Sequence, residues 1–295
     1  MDNNYGWHKD PNEVKRIQAG MQHPFFLTSA AAKSSKDIPE SVFLWKAAEQ
    51  VLGHQLPGRN QGGVGSCVSF GTAAAVEHTM LCEILAGDLE EFKELCQEEI
   101  YGGSRVEIGK GQLRGEGSIG AWAAEYVNKF GVLARGTYGN INCEAYNEDL
   151  CREWGRSGVP GSLTEIVKKH PVKTVSLVRS FTEAKKALAA GFGISVCSNQ
   201  GFSGMTRDKE GFASPRGQWG HCMALIGYQT GNRPGGFILN SWGDDSHTGP
   251  AGAGNPPPAG FWVDYKVIDG MLGEQDSWAF SCVKGFPARK LNFLI

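Results

Sequence analysis

The sequence lacks the features that mark several common classes of protein. It has no run of Lys or Arg, and its 29 basic and 31 acidic residues give a formal net charge of −2. Proteins that follow a phosphate backbone concentrate positive charge, so no nucleic-acid partner is expected. No apolar stretch approaches the ~18 residues of a membrane span, so no membrane contact is expected either.

Cysteine frameworks and phosphate-binding loops are also missing. The eight cysteines form no C-x-x-C pair and no Cys/His spacing typical of zinc sites. Neither G-x-x-x-x-G-K-S/T nor a strand-preceded G-x-G-x-x-G occurs. We therefore expect no metal, no cofactor and mostly reduced, buried cysteines. The first 30 residues are charged and contain no signal-peptide core, so a cytoplasmic location is the default expectation.

The organisation of the chain indicates an α+β fold. Three prolines break up residues 1–45, which we interpret as an N-terminal extension. Helical periodicity characterises residues 46–160, and short apolar segments bounded by glycine characterise residues 161–295. The prediction is a helical lobe followed by a β lobe, the latter a twisted antiparallel sheet or half-barrel.

Periodicity also predicts the individual elements around a site. Residues 66–87 are alanine-rich and predict a buried helix, a second helix is predicted to start at Asp88, and a third is predicted over residues 119–130. His78, on the apolar face of the first helix, is interpreted as a satisfied core histidine. Strands are predicted over five short segments, 172–178, 192–197, 223–228, 237–239 and 261–267.

The glycine-rich segment NQGGVGSCVSF delivers Cys67 to the start of the first helix. Unpaired N–H groups and the positive end of the helix dipole favour a thiolate there, so the cysteine pKa is expected to be lowered. Taken alone, the segment also fits a buried cysteine that only packs. Cys67 is the candidate nucleophile.

Two later segments, GHCMALIGY and FILNSWG, are each strand-like and are separated by a turn-rich stretch. If they form a hairpin with Tyr228 opposite Arg233, His221 lies opposite Asn240, with side chains roughly 5 Å apart. An amide oxygen that accepts from one imidazole nitrogen leaves the other facing a thiol. In this hypothesis Cys67 attacks a carbonyl, His221 is general base and acid, and Asn240 fixes the tautomer.

A glutamine in the same glycine-rich loop completes the hypothesis. Gln61 lies six residues before Cys67, so its amide N–H is expected to point with the backbone N–H of Cys67 and form an oxyanion hole. Taken alone, a glutamine in a polar loop is also explained as a surface residue without a catalytic role.

These segments resemble the papain family of cysteine peptidases, matching its N-Q-G-x-C-G-S-C-W, G-H-A-V-x-x-V-G-Y and N-S-W-G motifs in the family's order. The resemblance implies a papain-like fold with a helical lobe, a barrel-like β lobe and a cleft between them. It also implies hydrolysis of peptide bonds in a peptide or protein substrate. The substrate-binding residues implied by the resemblance or placed beside the site are Gly65, Ser66, Gly115, Gly117, Gly220 and Trp242.

The sequence departs from the family pattern in several places. Val64 replaces the cysteine three positions before the nucleophile, and the family's long inhibitory pro-segment is not evident before Gln61. Residues 243–260 form an 18-residue Gly/Pro-rich loop after the Asn-Ser-Trp block. This loop borders the leaving-group side of the cleft, contacts a partner, or is a flexible insertion without consequence. His247 within it is predicted to be solvated.

Two other functions stay open at this point. The same triad serves amidases, transpeptidases and cell-wall peptide hydrolases, and a papain-like body also serves as a structural or binding component of a larger assembly. The intact set of Gln61, Cys67, His221 and Asn240 argues against an inactive scaffold, while the missing pro-segment and the insertions keep it in consideration.

Overall fold

The structure is a computed structural model and describes residues 5–21, 25–28 and 38–284. Its α-helices are α1 Pro11–Ala19, α2 Trp45–Leu52, α3 Cys67–Leu85, α4 Gln97–Gly102, α5 Gly120–Lys129, α6 Glu148–Ser157, α7 Thr164–Val167, α8 Phe181–Ala189 and α9 Tyr265–Leu272. Its strands are β1 Ser41–Phe43, β2 Thr137–Tyr138, β3 Ile141–Asn142, β4 Val172–Leu177, β5 Ile194–Arg207, β6 Ala213–Gln229, β7 Gly235–Leu239, β8 Gly260–Asp264 and β9 Trp278–Val283. A π-helical turn, Gly103–Ile108, continues α4.

The main sheet has seven strands in the order β4-β9-β5-β6-β7-β8, with β1 paired to β6. Every pairing in it is antiparallel. In the described part of the chain the two end strands, β4 and β8, do not pair with each other, so the sheet stays open. The predicted mixture of helices and antiparallel sheet is confirmed, and a closed barrel is not formed.

Helix α3 packs against β6, and this contact brings the Cys67 end of the helix to the strand that carries His221. The helix is buried along most of its length, so small side chains are needed where the strand approaches. At Gly71 an added Cβ would lie 2.8 Å from the Cys222 sulfur. The close approach of helix and strand therefore depends on glycine at this position.

The prediction of a helix that starts at Asp88 is wrong. The chain runs without helix from there to Cys96, and α4 begins only at Gln97. The Asp88 carboxylate pairs with Lys284 at 2.5 Å instead of capping a helix, and Leu95 forms a β-bridge with Ala134. Tertiary contacts thus override a local capping pattern. The strand predicted over 261–267 also ends early, because α9 begins at Tyr265.

The predicted register of the β6–β7 hairpin is wrong as well. Tyr228 faces Gly236 and not Arg233, and Ala224 faces Leu239. The turn is longer than predicted, and a bulge between Leu225 and Gly227 shifts the register again. Asn240 consequently lies just past the end of β7 and reaches His221 across the strands.

His78 is buried in α3, as predicted, but only one of its nitrogens has a partner. Its Nδ1 lies 2.7 Å from the Ala74 carbonyl oxygen, and its Nε2 has no hydrogen-bond partner among the described residues. Burial lowers the pKa of His78 to about 4. Between about pH 4 and pH 6.5 this histidine is therefore neutral in the folded state and protonated in the unfolded chain.

We expect His78→Leu to reduce the acid sensitivity of the fold. A histidine whose pKa is lower in the folded state binds fewer protons when folded, so its contribution to stability is lost as pH falls from about 6.5 to about 4. The free energy of unfolding of the variant, relative to wild type, should rise by up to about 3 kcal/mol across that range. Urea unfolding at several pH values measures this difference.

The control is His54→Leu, which replaces an exposed histidine and should leave the pH dependence of stability unchanged. A difference between His78→Leu and wild type that is the same at pH 6.5 and pH 4.5 would contradict the prediction.

Candidate active site

His221 and Asn240 meet in the buried region beside the nucleophile helix. His221 Nε2 lies 2.9 Å from Asn240 Oδ1, which also accepts the backbone N–H of Ser241 at 2.8 Å. The indole of Trp242 stacks on the imidazole, with centroids 4.9 Å apart and planes at 29°. The tryptophan thus screens the His221–Asn240 contact from solvent. His221 Nδ1 has no hydrogen-bond partner among the described residues.

Cys67 is the first residue of α3, and its side chain is fully buried. Burial raises the pKa of its thiol to about 12, and the neighbouring Cys222 thiol adds to the rise, although backbone N–H groups of Gly6, Cys222 and Val68 hydrogen-bond the sulfur. Burial likewise lowers the pKa of His221 to about 4. The helix terminus was expected to lower the thiol pKa, and desolvation outweighs it here. Both groups are therefore uncharged in this structure.

The segment that buries Cys67 is residues 5–8 of the same chain, which we call the cleft segment. It lies between Ser118 on one side and Gly220 on the other. Trp7 donates its backbone N–H to the Gly220 carbonyl at 2.8 Å, Ser118 donates to the Gly6 carbonyl at 2.7 Å, and His8 donates to the Ser118 carbonyl at 2.9 Å. The cleft segment is therefore held on both sides by backbone hydrogen bonds, like a short strand.

Side chains of the cleft segment add to this anchoring. The Tyr5 ring stacks on Trp219 with centroids 5.8 Å apart and meets the edge of Trp242 at 6.3 Å. Trp7 Nε1 donates to the buried carboxylate of Asp276 at 2.7 Å. Burial raises the pKa of Asp276 to about 6, although several N–H donors, Trp7 among them, oppose the rise.

Glycines let the cleft segment come this close to the site. A Cβ added to Gly6 would lie 1.9 Å from the Gly65 carbonyl oxygen. Gly117 has φ +106°, and a Cβ there would lie 2.4 Å from the His8 ring. Three predicted substrate-binding residues, Gly65, Gly117 and Gly220, thus contact the cleft segment. The cleft segment belongs to the predicted N-terminal extension, and its only local signal is a glycine between two aromatic residues.

Gln61 is tied to the Asn-Ser-Trp block by two hydrogen bonds. Its backbone N–H donates to the Ser241 carbonyl at 2.9 Å, and its Oε1 accepts from Ser241 Oγ at 2.6 Å. Its Nε2 donates to the Val64 carbonyl at 2.8 Å. Since Ser241 is the neighbour of Asn240, one dipeptide positions both Gln61 and the partner of His221.

The remaining predicted residues lie in the loops on either side of Cys67. Ser66 precedes helix α3, and its Oγ lies 3.2 Å from the Tyr146 hydroxyl. Gly115 is exposed, and its carbonyl accepts from Arg105 Nη2 at 2.7 Å; the Gly117 carbonyl accepts from Arg105 Nη1. A single buried arginine thus shapes the glycine-bearing loop beside the cleft.

The 243–260 loop is anchored by Arg207, which is buried. Its guanidinium donates to the carbonyls of Gly249 at 2.8 Å, Gly260 at 2.9 Å and Pro258 at 3.1 Å. The prediction that His247 is solvated is wrong. The side chain is buried, because the contacts with Arg207 turn the loop inward.

Seven cysteines are described, and all are free thiols. Within the described ranges, no group of three or more His, Cys, Asp or Glu side chains is placed to hold a metal ion. Over the same ranges, no helix combines the length and the apolar character needed to cross a membrane.

A thiol at the start of a buried helix, a histidine held by an asparagine, and a mixed helical and antiparallel fold are features of cysteine hydrolases. A family model described as papain family cysteine protease matches residues 41–249. The chain belongs to the papain family of cysteine proteases, and its substrates are peptides or proteins. No curated protein matches its sequence.

Solved structures of cysteine proteases share the fold. Xylellain, from Xylella fastidiosa, is 16% identical with a TM-score of 0.60, over 96% of this chain and 98% of that one. The Amb a 11 cysteine protease of ragweed pollen, in its proform, is 15% identical with a TM-score of 0.58, over 95% and 75%. Digestive procathepsin L 3 from the larval midgut of Tenebrio molitor is 14% identical with a TM-score of 0.54, over 94% and 83%. Identities this low show the fold alone.

Proposed function

We propose that this protease cleaves peptide bonds through an acyl-enzyme on Cys67, with His221 as general base and acid and Asn240 as the group that orients the imidazole. The observation that carries the proposal is the 2.9 Å contact between His221 Nε2 and Asn240 Oδ1. An Asn oxygen is only an acceptor, so His221 carries its proton on Nε2 and Nδ1 is left as the base.

The reaction follows from this tautomer. The Cys67 sulfur attacks the scissile carbonyl carbon while its proton passes to His221 Nδ1. The C–N bond then breaks as the imidazolium returns the proton to the leaving amine, which leaves a thioester on Cys67. Water, deprotonated by the same nitrogen, hydrolyses the thioester and restores the thiol.

We propose that Gln61 and the backbone N–H of Cys67 bind the oxyanion of each tetrahedral intermediate. The N–H groups of the first turn of a helix lack partners within that helix, so the Cys67 N–H is suited to this role. Ser241 supports Gln61 from the opposite side with its 2.6 Å hydrogen bond. The supporting hydrogen bond fixes the Gln61 amide with its NH₂ group away from Ser241.

We also propose that the backbone groups now paired with the cleft segment bind the substrate backbone once this segment leaves. The Gly220 carbonyl and both backbone groups of Ser118 are paired with the cleft segment in this structure. Gly65, Ser66, Gly115, Gly117, Gly220 and Trp242 are the proposed lining of the subsites. With the cleft segment in place the protease is latent, because a buried neutral thiol beside a neutral imidazole is a poor nucleophile.

Peptide hydrolysis by the full chain carrying Gly6→Ala tests the proposed function, because the added methyl group cannot lie 1.9 Å from the Gly65 oxygen. In that background His221→Ala should lower kcat/KM for internally quenched peptides by about 10³-fold, since both proton transfers lose their carrier. The matched control, His54→Ala, replaces an exposed histidine and should leave the rate unchanged. A His221→Ala rate within a few-fold of its parent would refute the assigned role.

A further inference from the structure

The amide of Asn240 is contacted on both of its polar ends. Its Oδ1 faces His221, as described, and its Nδ2 lies 3.5 Å from Nε2 of His247. An amide nitrogen is only a donor, so this second contact is a hydrogen bond only when His247 Nε2 carries no proton and accepts. The two histidines thus lie on opposite sides of one asparagine.

His247 is held in place by its surroundings. Its side chain is 8% exposed, its ring packs against Phe261 with centroids 4.9 Å apart at 66°, and it hydrogen-bonds the backbone of Met205. Burial, together with the charge of Arg207, lowers the pKa of His247 to about 4. The ring is therefore neutral near neutral pH, with one nitrogen free to accept.

The loop that carries His247 is held at two places by a single buried cation. Arg207 donates to carbonyls on both sides of residues 250–257, and its own backbone N–H donates to the Thr248 carbonyl at 2.9 Å. In the described part of the chain Arg207 forms no ion pair within 4 Å. The terminal nitrogens of this buried guanidinium donate only to carbonyls, which fixes the path of those carbonyls and with it the position of His247.

We propose that His247 is a positioning residue that sets the orientation of the Asn240 amide, so that the 243–260 loop contributes to catalysis from behind the triad. The inference rests on the proposed function. Rotating the amide by half a turn would exchange its oxygen and nitrogen at little steric cost. An NH₂ group facing His221 Nε2 would favour the tautomer with its proton on Nδ1, which cannot act as the base.

The orientation is also supported by Ser241, whose backbone N–H donates to Asn240 Oδ1 at 2.8 Å. Loss of the His247 acceptor therefore removes one of several contacts that distinguish the two orientations. The expected effect is a fall in kcat of about 3- to 10-fold, the range of a single hydrogen bond. KM should be unchanged, because His247 lies behind Asn240 and not in the cleft.

Two substitutions separate positioning from packing. His247→Phe keeps an aromatic ring against Phe261 but has no acceptor, whereas His247→Gln keeps an acceptor and loses the ring. Measured in the full chain with Gly6→Ala, His247→Phe should lose 3- to 10-fold in kcat at constant KM, and His247→Gln should stay within about 2-fold of the parent. Thermal unfolding of each variant is recorded alongside, and His247→Leu replaces the phenylalanine variant should that one not fold.

A purely structural histidine predicts the reverse ranking. If His247→Phe turns over as fast as the parent, or if both variants lose the same kcat, or if only KM changes, the proposal is overturned. A parent whose turnover is insensitive to His221→Ala instead overturns the proposed function, so the two failures are distinguishable.

Discussion

Cys67→Ser should abolish peptide hydrolysis and leave the fold intact. The substitution exchanges one sulfur for one oxygen in a fully buried position at the start of α3, so packing changes little. A serine hydroxyl is a far weaker acid than a thiol, and an imidazole oriented by an amide, without a carboxylate, does not activate it. We expect kcat/KM to fall by at least about 10³-fold, since nucleophile and base act as one unit.

The initial rate on a quenched peptide and the thermal midpoint of unfolding, both in the Gly6→Ala chain, measure the effect of Cys67→Ser. Cys82→Ser is the matched control, because Cys82 lies in the same helix near its other end and takes no part in the proposed chemistry. Residual hydrolysis by Cys67→Ser at a tenth of the parent rate or more would assign the nucleophile to another residue.

Gly6→Ala should convert the latent protein into a reactive one. Its methyl group would overlap the Gly65 carbonyl oxygen at 1.9 Å, so the cleft segment has to move away from Cys67. Overpacking of this kind destabilises by about 1–3 kcal/mol, which corresponds to a shift of roughly 5- to 150-fold toward the open state. We expect the rate of Cys67 alkylation at pH 6 to rise by about that factor.

The pH dependence of Cys67 alkylation should also differ between wild type and Gly6→Ala. In the closed structure burial places the pKa of Cys67 near 12 and that of His221 near 4, so wild-type alkylation should rise only toward alkaline pH. Opening hydrates both groups, which lowers the thiol pKa and raises the imidazole pKa. The Gly6→Ala profile should therefore shift toward acid.

Gly20→Ala is the matched control for the opening experiment, because a Cβ at Gly20 meets its nearest atom, the Ile17 carbonyl oxygen, at an ordinary 3.6 Å. Equal alkylation rates in Gly6→Ala, Gly20→Ala and wild type would mean that the cleft segment does not control access to Cys67.

Local patterns predicted the parts of this site that depend on local structure. Helix α3 begins at Cys67 as predicted, because alanine-rich periodicity and a preceding glycine loop are short-range signals. The contact between His221 and Asn240 was also predicted, although the hairpin register behind it was wrong. Side chains reach diagonally across strands, so the contact tolerates a register shift that changes every backbone pair.

Long-range contacts account for what was not predicted. Nothing near Gly6 in sequence indicates that it reaches Cys67, because the two are joined only by tertiary structure. His247 was expected to be solvated since its neighbours are Gly and Pro, yet Arg207 draws the loop inward. The predicted lowering of the Cys67 pKa was wrong for the same reason. The helix dipole lowers a thiol pKa at a solvent-exposed helix start, and here the cleft segment covers the helix start. The lobe boundaries at residues 45 and 160, the cytoplasmic location and a partner contact through the 243–260 loop stay predictions.

The most direct test is covalent labelling at pH 6 with a peptidyl epoxide, located by peptide mass mapping, in the Gly6→Ala chain and in the same chain with His221→Ala. At this pH ordinary thiols are protonated and react slowly. An activated pair of Cys67 and His221 predicts rapid, stoichiometric modification of Cys67 alone, lost when His221 is replaced. Slow modification of whichever cysteines are exposed, at the same rate in both chains, would contradict the account and favour a papain-like scaffold without an assembled active site.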